Sequence, residues 1–326
     1  MSSAIGPMNS TREQRVEEAL FRGGALRLTN ARYRNTVRSL TQVLVAGDLR
    51  STDLTTKALG IRERKIRARV ISQQGGVLAG LEEFAFLLKR HGIQVRPEKQ
   101  DGDVIRPGET LAQAEGQQRR LLALERVGLN LLQRMSGIAT TARCLGERVH
   151  QTGSRARVIG TRKTPWGLLD KRALDLGGAG THRLGLGDAI LIKNNHLALV
   201  QPIESEAVPL AIERAWKSRR KAAFIEVEVR DRGAARAAAH AFRRLQQQTR
   251  EEYPCLLLLD NMTPDQVSTV REMLEQESLW DHVLLEASGG ISETNIEAYA
   301  ATGVDAISVG ALTHSARALD ICLRIS

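Results

Sequence analysis

The sequence predicts an α/β protein: an incomplete, TIM-like α/β barrel preceded by a smaller α/β domain. Three observations predict it. Six short apolar runs punctuate the second half of the chain, helical stretches separate them, and each run ends in residues able to hold anions or metal. Runs of four to eight apolar residues between helices read as buried parallel strands, and chemistry at strand carboxyl ends is the layout of a barrel enzyme.

Along the chain, residues 1–20 are polar and read as a loose arm. A helical stretch covers Tyr33 to Ala46. Lys65 to Ser72 and Gly76 to Ala79 read as strands, Leu81 to His91 as a helix, and Asp101 to Gly108 as turn chemistry leading into a strand from Thr110 to Ala114. Arg119 to Val149 is helical, with Leu121, Leu124, Leu129, Leu132, Met135 and Ile138 near a helical repeat. The expected division is therefore an arm at 1–20, an α/β domain at 21–136 and the barrel domain at 137–326.

The six runs are Ala156 to Gly160, Asp188 to Ile192, Ala223 to Val229, Cys255 to Leu259, Val283 to Leu285 and Ala306 to Val309. Thr263-Pro264-Asp265-Gln266 is a capping box with proline at the first helical position. Ser292 is expected to cap the next helix, and Gly303 to end it in a left-handed conformation.

The 326 residues are 42% hydrophobic, 26% charged and only 3% aromatic, so aliphatic side chains and alanine must fill the core of a soluble protein. No apolar stretch reaches membrane-spanning length and no leader pattern opens the chain, which predicts a cytoplasmic protein without a membrane partner. Cys144, Cys255 and Cys322 are too scattered for a disulfide framework or metal cluster and read as buried thiols. The net charge of +10 fits either a nucleic-acid surface or a site for strongly anionic small molecules. The basic runs Arg62 to Arg69 and Lys217 to Lys221 read as solvated helix faces, and no nucleic-acid-binding motif accompanies them.

Side chains alternate along a strand, so Glu226 and Glu228 share one side of Phe224 to Val229 and point into the barrel. A buried carboxylate needs a cation. Arg162, Lys163 and Lys193 supply more positive charge than two carboxylates require, and the excess predicts an anionic ligand. The glycine-rich segment Gly177-Gly178-Ala179-Gly180 leads into two more anion-binding side chains, His182 and Arg183. The turns at Ser288-Gly289-Gly290 and at Gly310, after the last two strands, predict a phosphate cradle. Asp260 joins Glu228 as a pair suited to Mg²⁺, which takes a few carboxylates plus substrate phosphates. His196 reads either as a ligand or as a structural histidine.

Together with Glu125-Arg126, Asn130, Ser136-Gly137-Ile138-Ala139-Thr140, Asn195-His196 and Gly303-Val304-Asp305, these segments resemble the quinolinate phosphoribosyltransferase family from about residue 37 to 326. The resemblance implies a barrel with an N-terminal α/β sandwich domain. It implies transfer from phosphoribosyl pyrophosphate to quinolinate, with loss of pyrophosphate and CO₂, to give nicotinate mononucleotide for NAD synthesis. It assigns the quinolinate carboxylates to Arg162, His182, Arg183 and Lys193, with Arg126 entering from the partner of a homodimer that can build a trimer of dimers. Lys163 then contacts phosphoribosyl pyrophosphate, Glu228 and Asp260 orient ribose hydroxyls and Mg²⁺-pyrophosphate, and Ser288, Gly289, Gly290 and Gly310 hold the 5′-phosphate. The chain departs from the family pattern at Pro165-Trp166-Gly167-Leu168-Leu169, where a later arginine is absent and the stretch to His182 is about two residues shorter, and at Ala179 and Asn194. Two other readings compete: a related enzyme acting on nicotinate or another acid, and a nucleic-acid-binding protein.

Overall fold

The computed structural model describes residues 10–49, 53–201 and 204–325, which form two compact units. One contains the described residues of 23–144, 163–178 and 312–325; the other contains those of 10–22, 145–162 and 179–311.

The first unit is built on a four-stranded sheet in the order Ile321–Ile325, Lys65–Ser72, Thr110–Gln117, Gln94–Pro97, with each neighbouring pair antiparallel. In Lys65–Ser72 the first residues alternate exposed and buried, so Ile66, Ala68 and Val70 face one core while arginines and lysine face water. Onto that face pack Leu81, Phe84 and Leu88 of the helix Leu81–Arg90, and Leu121, Leu124, Leu129 and Leu132 of the long helix Gln118–Gln151. The helix Leu81–Arg90 has glycine, not a capping side chain, before it; Asp101 instead accepts the amides of Leu81 and Glu82 at 2.8 and 3.1 Å.

The second unit carries a six-stranded parallel sheet in the order Arg157–Ile159, Ala306–Ser308, Leu284–Ser288, Cys255–Asp260, Ile225–Val229, Ile190–Ile192. All six expected strands are present. Gly180 bridges in parallel to Ile159 at one edge, extending the barrel wall with an irregular segment. Residues near the starts of strands, Phe224, Leu256, Leu284 and Ala306, share one apolar cluster with Ile159 and Ala189 from opposite edges of the sheet. The same cluster takes in Val16, Ala19 and Leu20 of the helix Arg12–Leu20, which packs against the amino-terminal end of the sheet. The chemistry expected at the strands' carboxyl ends therefore lies at the end this helix leaves open.

Several expectations change. Residues 1–9 of the predicted arm lie outside the described residues, and the rest of it is not loose: Thr11 caps a helix whose three apolar residues are buried. The division along the chain differs too, because Ile321–Ile325 leaves the barrel segment and pairs with Lys65–Ser72, where Ser72 faces Ile321. Ser292 does not cap its helix; Asn295 precedes Ile296–Ala300, and Ser292 opens the turn before it. The Thr263 capping box and the left-handed Gly303 stand as expected. Among the thiols only Cys255 is buried, while Cys144 is exposed. No helix among the described residues is long and apolar enough to cross a membrane.

Candidate active site

The carboxyl ends of the parallel strands gather the predicted polar residues of the barrel unit. Arg162 follows Arg157–Ile159, Lys193 follows Ile190–Ile192, Glu228 lies in Ile225–Val229, Asp260 ends Cys255–Asp260, and Ser288 ends Leu284–Ser288. His182 and Arg183 come from the segment beside Ile159.

Arg183 is the most telling of these. Its side chain is buried, its Nη1 donates to the Ala189 carbonyl at 3.3 Å, and its Nε has no hydrogen-bond partner. Among the described residues no carboxylate forms an ion pair with Arg183 or Arg162, although the barrel unit is otherwise dense in such pairs. Burial and the like charge of Arg162 push the Arg183 pKa down from its usual value, against a smaller opposing pull from the carboxylates of Glu226 and Asp188. A desolvated guanidinium facing another cation is costly in isolation, so this corner of the site is built for an anion supplied from outside.

His182 takes the opposite charge environment. Its Nε2 lies 2.9 Å from Glu226 and 3.4 Å from Glu286, with all three side chains almost fully buried, and Phe224 packs against the ring edge-on. The backbone amide of Arg183 donates to His182 Nδ1 at 2.7 Å, which places the ring's proton on Nε2, toward the carboxylates. Burial alone would lower the histidine's pKa, but the two carboxylates outweigh it and raise it to about 9; uptake of that second proton at Nδ1 breaks the bond from the Arg183 amide, which belongs to the neutral ring. Burial and the neighbouring Glu286 raise Glu226; burial opposes ionisation of Glu286 too, but His182 holds that carboxyl below its ordinary range. Attraction between the ring and the two carboxylates holds the cluster together.

The linkage has a definite sign. His182 and Glu226 both bind protons more tightly folded than unfolded, so each loses stabilisation as pH rises, Glu226 from the ordinary carboxylate range upward and His182 from about 6.5 to about 9. Thermal unfolding of the wild type is expected to show falling stability from pH 6 to 9, and Glu226→Gln to flatten that decline, since it removes both the raised carboxyl and the main charge that raises His182. A wild-type profile flat to pH 9 would contradict the assignment.

Two residues further along the strand that carries Glu226, Glu228 faces a different partner, Lys193 Nζ at 3.1 Å. Arg230, which the sequence reading passed over, lies 3.9 Å from Glu228 and 3.4 Å from Asp260. The two carboxylates thus share one half-exposed cation, Arg230. Among the described residues, the group with three metal-competent side chains close enough to share an ion is His182, Glu226 and Glu286, not Glu228 and Asp260.

At the next strand end Gly289 and Gly290 both have positive φ, +99° and +62°. A Cβ on Gly289 would stand 2.3 Å from Asn261 Oδ1 and 2.8 Å from the Asn261 amide nitrogen, so only glycine lets the Asp260-Asn261 and Ser288-Gly289 turns meet. The Asn261 amide donates to the Ser288 carbonyl at 2.8 Å, locking the two turns together. Gly310 follows the adjacent strand Ala306–Ser308 in the same sheet.

Arg126 and Lys163 belong to the other unit. Arg126 is exposed on Gln118–Gln151, and the Lys163 carbonyl accepts from Thr313 Oγ1 at 2.8 Å. His196 is structural: its Nδ1 accepts the Lys193 amide at 2.9 Å and caps the helix Asn194–Val200. The residues the sequence reading underused are Arg230 and Glu286. The signal for Glu286 was present, a glutamate inside an apolar run like Glu226; Arg230 had none beyond its place after a strand.

The chain matches the family model for the quinolinate phosphoribosyl transferase N-terminal domain over residues 53–136 and the C-terminal domain over residues 138–324. It is 37% identical over 284 residues to a probable nicotinate-nucleotide pyrophosphorylase (carboxylating) of Methanothermobacter thermautotrophicus, covering 86% of this chain and 96% of that one. It is 31% identical over 287 residues to quinolinate phosphoribosyltransferase (decarboxylating) 1b of Nicotiana tabacum, covering 86% and 79%. Among solved structures, the nicotinate-nucleotide pyrophosphorylase of Francisella tularensis aligns with a TM-score of 0.76 at 28% identity, over 90% of this chain and 96% of that one.

Proposed function

The chain belongs to the quinolinate phosphoribosyltransferase family, and from that premise we propose that its cation-rich barrel end joins quinolinate to phosphoribosyl pyrophosphate, releasing pyrophosphate and CO₂ and forming nicotinate mononucleotide for NAD synthesis. The observation that carries the reading is the buried Arg183 beside Arg162, with an unbonded Nε and no ion pair to a carboxylate among the described residues. Quinolinate brings two carboxylates and its co-substrate several phosphate charges, and desolvating them requires cations already in place.

In this reading Arg162, Arg183 and Lys193 receive the two carboxylates, and the partner of a homodimer contributes its own copy of the exposed Arg126. His182 backs them: both its ring nitrogens face protein groups, so it acts through charge and packing behind Arg183. Lys163 contacts phosphoribosyl pyrophosphate. Ser288, Gly289, Gly290 and Gly310 cradle the 5′-phosphate with backbone amides, and Glu228 and Asp260 orient the ribose hydroxyls. Glu228 and Asp260 would hold Mg²⁺, directly or through water, and the ion would supply charge neutralisation for the pyrophosphate leaving group. The ring nitrogen attacks the anomeric carbon as pyrophosphate leaves; the C2 carboxylate then departs as CO₂, the electron pair left at C2 is stabilised by the adjacent pyridinium nitrogen, and a proton from solvent completes the C2–H bond of the product. A multiply charged co-substrate does not cross a bilayer unaided, which supports a cytoplasmic setting.

The test is direct: enzyme, quinolinate labelled in its C2 carboxylate, phosphoribosyl pyrophosphate and Mg²⁺ should yield labelled CO₂ and pyrophosphate in equal amounts. Pyrophosphate release with nicotinate but not quinolinate would move the acceptor to the monoacid. For the dimer, mixing Arg126→Ala with Arg183→Ala protein is expected to restore activity that neither variant has, because hybrids regain one intact site; mixtures as inactive as their parents would refute sharing.

A further inference from the structure

We propose that Arg134, Asp170 and Thr313 are positioning residues that fix the backbone at Lys163 and thereby set where its ammonium meets phosphoribosyl pyrophosphate. The proposal rests on the reading above for the role of Lys163, and on a closed circuit within one unit for everything else. Thr313 Oγ1 donates to the Lys163 carbonyl at 2.8 Å. The Thr313 carbonyl in turn accepts from Arg134 Nη2 at 2.8 Å, and the same guanidinium forks onto Asp170 through Nε at 2.9 Å and Nη2 at 2.8 Å. Asp170 also accepts the hydroxyl of Thr164, and Thr164 Oγ1 accepts the Gly167 amide at 3.0 Å. The covalent bond between Lys163 and Thr164 closes the ring.

Three separated stretches of chain therefore converge on two residues that lie in neither helix nor strand. The Asp170 side chain is fully buried and that of Arg134 is 20% exposed, with the Trp166 ring lying over the guanidinium at 5.2 Å. A buried ion pair of this kind adds little net stability over an apolar pair of similar size, and its best-attested use is to fix one arrangement among several. Here the arrangement fixed is the exit of the chain from Lys163. The shortened loop Pro165-Trp166-Gly167 is where this chain departs from the family pattern, and Trp166 is the residue that covers the circuit. Misplacing a catalytic group by as little as an ångström can cost on the order of a hundredfold in rate, so the circuit has a kinetic reason to exist.

Thr313→Val removes one hydroxyl and keeps the side chain's shape. It is expected to raise KM for phosphoribosyl pyrophosphate on the order of tenfold, leave KM for quinolinate within about twofold and leave the unfolding midpoint in place, while Thr313→Ser restores wild-type values. Thr164→Val, at the other end of the circuit, should produce the same split. Wild-type KM for phosphoribosyl pyrophosphate in both valine variants, or equal losses toward both substrates, overturns the proposal. Lys163→Ala separates the two claims: if it leaves phosphoribosyl pyrophosphate kinetics unchanged, the role assigned to Lys163 has failed, whereas a damaged Lys163→Ala beside unaffected valine variants ends the positioning claim alone.

Discussion

Arg183→Met is expected to lower kcat/KM for quinolinate by roughly two to three orders of magnitude while leaving the protein as stable as the wild type or slightly more so. The opposed signs follow from one fact: the guanidinium is buried with no carboxylate partner and an unbonded Nε, next to a second arginine. Removing one side of a desolvated charge pair costs about 2–5 kcal/mol, and here that pair forms only when substrate arrives, so the loss falls on binding and catalysis. In the free enzyme the same change relieves a buried, repelled charge and replaces it with apolar volume. Steady-state kinetics and thermal unfolding on the same sample check both halves. A variant that loses activity and stability together would show that Arg183 is a structural residue.

Arg12→Ala is expected to be the most destabilising substitution at a charged residue of the barrel unit, by about 3–5 kcal/mol. Arg12 forks onto Asp305, donates to the carbonyls of Trp280 and Val283 at 2.8 Å each, and lies over the Trp280 ring at 3.5 Å. Asp305 in turn accepts the buried Leu285 amide, so truncating the arginine leaves a carboxylate of 7% exposure without its cation beneath the sheet. Arg12→Lys should recover only part of the loss, because an ammonium can neither fork nor stack. Urea denaturation followed by tryptophan fluorescence, with Trp280 as a local reporter, measures the change. A midpoint within experimental error of the wild type would mean that the helix Arg12–Leu20 is dispensable to the barrel.

Sequence reading succeeds and fails here for identifiable reasons. Parallel strands buried on both faces appear as unbroken apolar runs, so all six barrel strands were visible and their polar tips with them. Local chemistry was equally legible: the Thr263 capping box and the left-handed Gly303 depend on a few adjacent residues. The helix Arg12–Leu20 escaped because three buried apolar residues among charged ones look like a solvated segment. Partnerships across long separations were invisible for a different reason. Nothing near Ile321–Ile325 says that it will pair with Lys65–Ser72, and nothing near Asp101 says that it will cap Leu81–Arg90. Strand alternation did put Glu226 and Glu228 on one side, but only the fold shows that one answers His182 and the other Lys193. Nor does anything near His182 say that its two ring nitrogens will face the Arg183 amide and the Glu226 carboxylate.

The central claim is that the cations at the barrel's open end are arranged for a diacid. Calorimetric titration of the wild-type enzyme with quinolinate and with nicotinate tests it most directly. Quinolinate should bind on the order of a hundredfold or more tightly than nicotinate, since the monoacid leaves a desolvated guanidinium unpaired. Equal affinities for the two acids would contradict the account.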